Sequence, residues 1–255
     1  MVARIFYQAL LCIGLLAGLL ATPHVAGATE PPQGFVRLRS LAPAIQQDIR
    51  YASAFNFTAK IVPGYTAAEC VLTRKAAEAL LRAERKLNET GYGLKVFDCY
   101  RPVRAVRSFE RWMNGTSGDQ YASVFYPTLD RKNLAALGYI AKKSSHSRGS
   151  TLDVGLVKTA EPPLPTPSTS GRCDGPFSDR PHESSLDLGT SFDCFSALSA
   201  LANGRAGPTA RTNRNLLRVA MLAAGFKGYA REGWHFSAGC ETILSCACQS
   251  ADTRS

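Results

Sequence analysis

The residues able to do chemistry gather in two short segments far apart in the chain. One is Ser144-Ser145-His146-Ser147-Arg148-Gly149-Ser150-Thr151-Leu152-Asp153, and the other is Glu232-Gly233-Trp234-His235. Together they offer two imidazoles and a carboxylate as metal ligands, plus a second carboxylate placed to act as a base. Three protein ligands with a fourth position open to water make up a catalytic zinc site. The chain has four histidines. His24 lies in a segment expected to be removed and His182 in a low-complexity loop, which leaves His146 and His235.

His146 and Asp153 lie seven positions apart, which does not make them neighbours on a helix turn. Gly149 between them permits a sharp backbone turn, so a loop followed by a strand can fold His146 back beside Asp153. His235 must then arrive from a distant segment. Glu232, three residues earlier, can face a water on the metal, take its proton and pass it to a leaving amine. Arg101 is the third element. It follows an expected strand and is pinned by Pro102, and a fixed guanidinium stabilises an oxyanion that exists only in the transition state. A serine nucleophile at Ser144 or Ser145 is disfavoured, because the chain has no G-x-S-x-G elbow.

These residues need elements to hold them. Thr73 caps an expected helix from Arg74 to Asn88, with Ala76, Leu80, Ala83 and Leu87 on one face. Leu94 to Cys99 reads as a strand. Pro102 fits the first position of a further helix whose Val103, Val106, Phe109 and Met113 share a face. Residues 133–143 read as a short helix, and Leu152 to Val157 as a buried strand carrying Asp153. The stretch from Thr159 to Ser185, rich in Pro, Ser, Gly and Asp, reads as a loop or insertion with no pattern for a core. A helix from about Thr212 to Ala224 and a final strand from Gly228 to Phe236 complete the reading. The layout predicts an α+β fold with a small, mainly antiparallel sheet flanked by helices.

The chain has 255 residues, 45% of them hydrophobic, which suits one domain with a real core. Arg4, an apolar run from Ala9 to Ala21 and the small residues Ala26-Gly27-Ala28 form a signal-peptide pattern over residues 1–28. The run is short for a membrane span, although an uncleaved anchor is the competing reading. Residues 29–255 then form the catalytic domain, periplasmic or secreted. The formal charge is +10, and cleavage removes Arg4 and no acid, leaving +9. A basic surface favours polyanions in general, but no nucleic-acid recognition motif is present. Seven cysteines remain after cleavage, and in an oxidising compartment they are mostly disulfide partners. Spacing does not settle the pairing; Cys70 with Cys99 and Cys173 with Cys194 is one arrangement. Cys240, Cys246 and Cys248 resemble half a zinc knuckle whose second half is missing.

The whole pattern resembles the zinc D-alanyl-D-alanine dipeptidase family, related to D,D-carboxypeptidases and the Hedgehog-type zinc peptidase fold. Ser144, His146, Gly149 and Asp153 match its S-x-H-x-x-G-x-x-x-D motif, Glu232 and His235 its E-x-x-H, and Tyr100-Arg101-Pro102 its Y-R-P. Asp48-Ile49-Arg50-Tyr51, Asn56-Phe57-Thr58 and Gly189-Thr190-Ser191-Phe192-Asp193 also resemble it. The likeness runs from about 40 to 240. It implies one zinc on His146, Asp153 and His235, Glu232 as base, Arg101 as transition-state stabiliser, and Ser144 and Asp193 holding the charged ends of a small D-amino-acid dipeptide. Three features depart from the pattern. Gly233 stands where the family usually has Trp, which removes a packing group; Cys99 replaces a common Gly; and the Thr159–Ser185 loop is longer than usual. The activity implied is zinc-dependent hydrolysis of D-Ala-D-Ala in the cell envelope. A carboxypeptidase or endopeptidase acting on peptidoglycan stems is the first alternative, and a non-catalytic zinc-binding interaction domain the second.

Overall fold

The computed structural model describes residues 30–160, 169–181 and 183–239. Residues 1–29 with His24 and the expected signal peptide, residues 161–168, His182 and the cysteines Cys240, Cys246 and Cys248 lie outside the described residues. In chain order the strands are β1 (Phe35–Arg37), β2 (Gln46–Gln47), β3 (Val71–Thr73), β4 (Tyr92–Asp98), β5 (Thr151–Lys158), β6 (Phe226–Tyr229) and β7 (Glu232–Ala238). The helices are α1 (Leu38–Leu41), α2 (Arg74–Asn88), α3 (Val103–Asn114), α4 (Ala122–Phe125) and α5 (Pro208–Ala223). Five strands form one sheet in the order β2-β4-β5-β7-β6, while β1 and β3 form a separate antiparallel pair. Only the short β2–β4 pairing is parallel. The fold is α+β with a mainly antiparallel sheet, as the sequence predicts.

The sheet divides two cores of different chemistry. Leu152, Val154 and Leu156 alternate along β5 and join Leu94 and Val96 of β4 in an aliphatic cluster with Leu80 and Leu87 of α2 and Leu217 and Met221 of α5. Helix α2 forms where its periodicity places it. Thr73 Oγ1 accepts from Ala76 N at 3.3 Å, meeting one orphan donor of the first turn, and Ala76, Leu80, Ala83 and Leu87 are all buried. The second cluster is aromatic: Tyr51, Phe57, Phe97, Phe109, Trp112, Phe125, Phe192, Phe195 and Trp234.

Four local expectations need correction. Residues 133–143 do not form a helix. A single 3₁₀ turn covers Arg131–Asn133, and Gly138 at φ +81° breaks the progression while Leu134 and Ile140 are buried. Helix α5 starts at Pro208, four residues before Thr212, because a proline at the first turn loses no needed donor. The expected last strand is a hairpin, with Ala230 and Arg231 turning β6 into β7. The stretch 159–185 is not wholly superficial. Cys173, Arg180, Glu183 and Ser185 are buried, although the described part has no helix or strand after Lys158.

Among the described residues two disulfides close, Cys70–Cys99 and Cys173–Cys194. No described helix is long and apolar enough to cross a membrane.

Candidate metal centre

A short turn, a strand and its neighbour bring the two motif segments together. Ser144 caps a 3₁₀ turn over Ser145–Arg148, its Oγ accepting from His146 N at 3.3 Å. Gly149 ends the turn in the left-handed region at φ +70°, and a Cβ there would stand 2.2 Å from Phe35 Cε1. Both the backbone angle and the space therefore demand glycine. The chain then enters β5, where Asp153 pairs directly with His235 of β7. Residues facing each other across adjacent strands share one side of the sheet.

One imidazole has its protonation state set by its partner. His146 Nδ1 lies 2.8 Å from the carbonyl of Cys99. A carbonyl only accepts, so Nδ1 carries the proton and the neutral ring presents a lone pair at Nε2. That lone pair lies 3.3 Å from His235 Nδ1 and 3.4 Å from Asp153 Oδ2, while His235 Nδ1 is 3.1 Å from Asp153 Oδ1. Ligand atoms about 2.0–2.2 Å from one tetrahedral cation stand roughly 3.3–3.6 Å apart. Asp153 Oδ1 is buried, and no donor meets it with hydrogen-bond geometry. Converging lone pairs and an orphaned buried carboxylate oxygen fit a divalent cation held by His146, Asp153 and His235. Burial works against an ionised Asp153; a proton at the facing imidazole nitrogens holds the carboxyl well below the usual range, and a cation in the same place would do so in its stead.

Arg101 is held from three directions. Its Nε and Nη2 donate to Asp98 Oδ2 at 2.9 and 2.8 Å. Its guanidinium lies 5.1 Å from the ring centre of Tyr51 and 5.2 Å from that of Phe109. One face is thus set against aromatic rings while Nη2 reaches within 3.6 Å of Asp153 Oδ2. Asp98 is fully buried and also accepts from Tyr65 Oη at 2.7 Å. It faces Asp153 because the β4–β5 register shifts between Val96 and Asp98. That irregularity turns a residue otherwise destined for the aliphatic side onto the site.

Glu232 opens β7, with Oε2 3.5 Å from His235 Nδ1. Burial and the charge of Asp153 push its carboxyl up to about 8, against Arg101 and His146. A cation held by the trio would offset the charge of Asp153 and lower the Glu232 value, which favours its work as a base. Asp193, at φ +57°, accepts from Tyr51 Oη at 2.7 Å. Burial first, then the charge of Asp153, hold its carboxyl well above the usual range, against the pull of the Tyr51 hydroxyl and Arg101. Ser144, Asp193, Arg101, Glu232 and the trio all line one cavity of about 440 Å³.

All seven residues singled out in the sequence therefore meet at one cavity. Sequence reasoning missed Asp98, Tyr51 and Tyr65 as its supports; only the Asp48–Tyr51 stretch gave a signal, and not for that role. It also misjudged Gly233. A Cβ there would stand 3.3 Å from Arg214 Nε, so Arg214 fills the space. Its buried guanidinium donates to the carbonyls of Leu188, Leu198 and Ala200.

An α+β fold with a His-Asp-His cup and a buried carboxylate beside it defines the class: a metallopeptidase. Comparisons with known proteins give the family. The family model described as D-ala-D-ala dipeptidase matches residues 32–166 and 164–250. The chain is 33% identical over 203 residues to the D-alanyl-D-alanine dipeptidase of Enterococcus faecium, covering 80% of this chain and 90% of that one. It is 33% identical over 204 residues to the enzyme of that name from Streptomyces coelicolor, with the same shares. The Escherichia coli protein of that name is 26% identical over 201 residues, 79% of this chain and 82% of its own. The chain belongs to the D-ala-D-ala dipeptidase family.

Proposed function

We propose that this protein hydrolyses the dipeptide D-Ala-D-Ala to two molecules of D-alanine, with one zinc ion held by His146, Asp153 and His235. The observation that carries the reading is the convergence of His146 Nε2, His235 Nδ1 and the Asp153 oxygens within 3.1–3.4 Å of one another, in a cavity that also holds Glu232 and Arg101. Two nitrogens and one oxygen are a donor set suited to zinc. When bound, the ion supplies Lewis acidity, polarising the scissile carbonyl and making water a competent nucleophile near neutral pH.

The remaining work falls to side chains. Asp193, with the Tyr51 hydroxyl on one oxygen, receives the substrate ammonium, which stabilises the ionised form that burial disfavours. Ser144 spends a lone pair on His146 N and keeps its hydroxyl proton for the substrate carboxylate. Glu232 takes a proton from the attacking water as the oxygen–carbon bond forms. Arg101, locked on Asp98, stabilises the negative charge that develops on the carbonyl oxygen. As the carbon–nitrogen bond breaks, Glu232 returns the proton to the leaving amine, and both products depart as free amino acids.

The proposed setting is the cell envelope, after export. The sequence pattern at residues 1–28 and the two disulfides support it, since such bridges persist in oxidising compartments. A product assay on D-Ala-D-Ala, L-Ala-L-Ala and a stem pentapeptide tests the reading. Release of D-alanine from the first substrate alone is the expected result. Preferential cleavage of the pentapeptide would move the assignment to a stem-peptide carboxypeptidase, and hydrolysis of none to a zinc-binding interaction domain.

A further inference from the structure

The two disulfides each stand close in the chain to a residue that lines the cavity and that the proposed chemistry uses, Cys99 to Arg101 and Cys194 to Asp193. Cys99 sits between Asp98 and Tyr100-Arg101, just where β4 leaves its ladder. Its own carbonyl holds the His146 ring at 2.8 Å. Two further bonds tie the same stretches together: Arg101 N donates to His146 O at 3.3 Å and Ser147 Oγ to Arg101 O at 2.8 Å. Residues 99–101 thus carry a metal ligand's orientation and the oxyanion group at once. The bridge to Cys70 anchors this stretch covalently to the rest of the fold, beside the bond from Tyr100 N to Val71 O at 3.0 Å, the Phe35–Tyr100 ring contact and the fork of Arg101 on Asp98. Cys70 in turn is fixed by Leu38 N on its carbonyl and by Gln47 Oε1 on its amide, both at 2.9 Å.

The other bridge has a separate address. Cys194 follows Asp193, whose left-handed backbone at φ +57° is uncommon for a side chain. The segment from Cys173 to Cys194 has no helix or strand among its described residues. Backbone bonds hold it at and beside its ends, from Cys173 N to Val124 O and from Phe195 N to Phe125 O, and Leu186 N on Leu156 O and the ion pairs of Arg180 and Glu183 hold its middle. The covalent link closes that segment beside the carboxylate that faces the ammonium end.

We infer that the two disulfides are positioning elements with different tasks: Cys70–Cys99 sets metal affinity and turnover through His146 and Arg101, and Cys173–Cys194 sets dipeptide affinity through Asp193. This inference rests on the residue roles proposed above. A group that orients a metal-bound imidazole is worth about 10–100-fold in metal affinity. A charged hydrogen bond to a substrate is worth roughly tenfold or more in binding.

The test compares two double variants, Cys70→Ala/Cys99→Ala and Cys173→Ala/Cys194→Ala, with oxidised wild type. Zinc affinity is measured by chelator competition, and kcat and KM on D-Ala-D-Ala. The first pair should weaken zinc about 10–100-fold and lower kcat with KM little changed. The second should raise KM about tenfold or more, with zinc affinity and kcat within twofold of wild type. Bridges that only stabilise the fold would lower the melting temperature of both variants while leaving zinc affinity, kcat and KM alone; that result overturns the inference, as does an identical loss in both. Where a pair does not fold, wild type is titrated with a water-soluble phosphine. Each bridge takes up two electrons and two protons from phosphine and water, giving two thiols and the phosphine oxide, and the thiols are mapped by alkylation. Zinc release should follow Cys70 and Cys99, and weaker dipeptide binding Cys173 and Cys194; the reverse order, or no such correlation, overturns it. Oxidised wild type and His146→Ala serve as the reference. If His146→Ala keeps stoichiometric zinc, the metal assignment itself has failed, and that outcome is distinct from failure of the disulfide roles.

Discussion

The two cores on either side of the sheet are built to different ends. The aliphatic one packs Leu80, Leu94, Val154 and Leu217 from regular elements. The aromatic one gathers Tyr51, Phe57, Phe109 and Phe192 largely from loops and short turns, and it supports the site directly. Tyr51 and Phe109 lie against Arg101, and Tyr51 also donates to Asp193. Aliphatic side chains fill space without direction. Aromatic rings add a face that attracts cations and, in tyrosine, a donor. One core therefore maintains the fold and the other aims the chemistry.

The largest test of that division removes the metal. His235→Ala should abolish stoichiometric zinc in metal analysis and with it activity, while far-ultraviolet circular dichroism still reports a folded chain. Glu232→Gln comes next. It should keep zinc yet lower kcat by about 10²–10⁴, and a stopped assay at saturating dipeptide reads it. Arg101→Ala should lower kcat by about 10²–10³ with KM nearly unchanged. Lysine there should recover only part of the loss, since it cannot make the fork to Asp98.

Smaller changes separate the cores themselves. Leu80→Ala should cost about 2–5 kcal/mol in urea unfolding and leave kcat and KM alone. Phe109→Ala should cost about 3–5 kcal/mol and also depress kcat, because Arg101 loses a ring beneath it. A subtler effect appears in the metal-free chain. The carboxyl of Glu232 sits at about 8 when folded against a usual 4.5, so the folded state keeps its proton longer than the unfolded one. Its contribution is harmless below about 4.5 and becomes a loss as pH rises toward 8. Chelator-treated Glu232→Gln should therefore exceed wild type by at most about 4 kcal/mol at pH 8 and by little at pH 4, read from denaturation midpoints.

How far the sequence discloses all this depends on the range of the forces involved. His146, Gly149 and Asp153 were legible because a turn glycine and a strand carry them within one short motif. The pattern of α2 was legible because helix periodicity is local. Asp98 was not, since its direction depends on a register shift in β4 that no spacing encodes. Tyr51 is separated from Asp193 by 142 positions, and nothing at either end announces the other. The burial of Cys173, Arg180, Glu183 and Ser185 was hidden for a related reason. It is produced by a bridge, by backbone bonds and by the ion pairs of Arg180 and Glu183, not by an apolar pattern.

Because Asp153 and His235 are direct partners across β5 and β7, zipping those two strands and shaping the cation cup are a single event. A slip of one residue sends either side chain through to the opposite surface. A misaligned chain therefore has no cup, and only the correctly aligned one gains the free energy of loading. A cation seated there would add its binding free energy to a register that the metal-free strands already adopt.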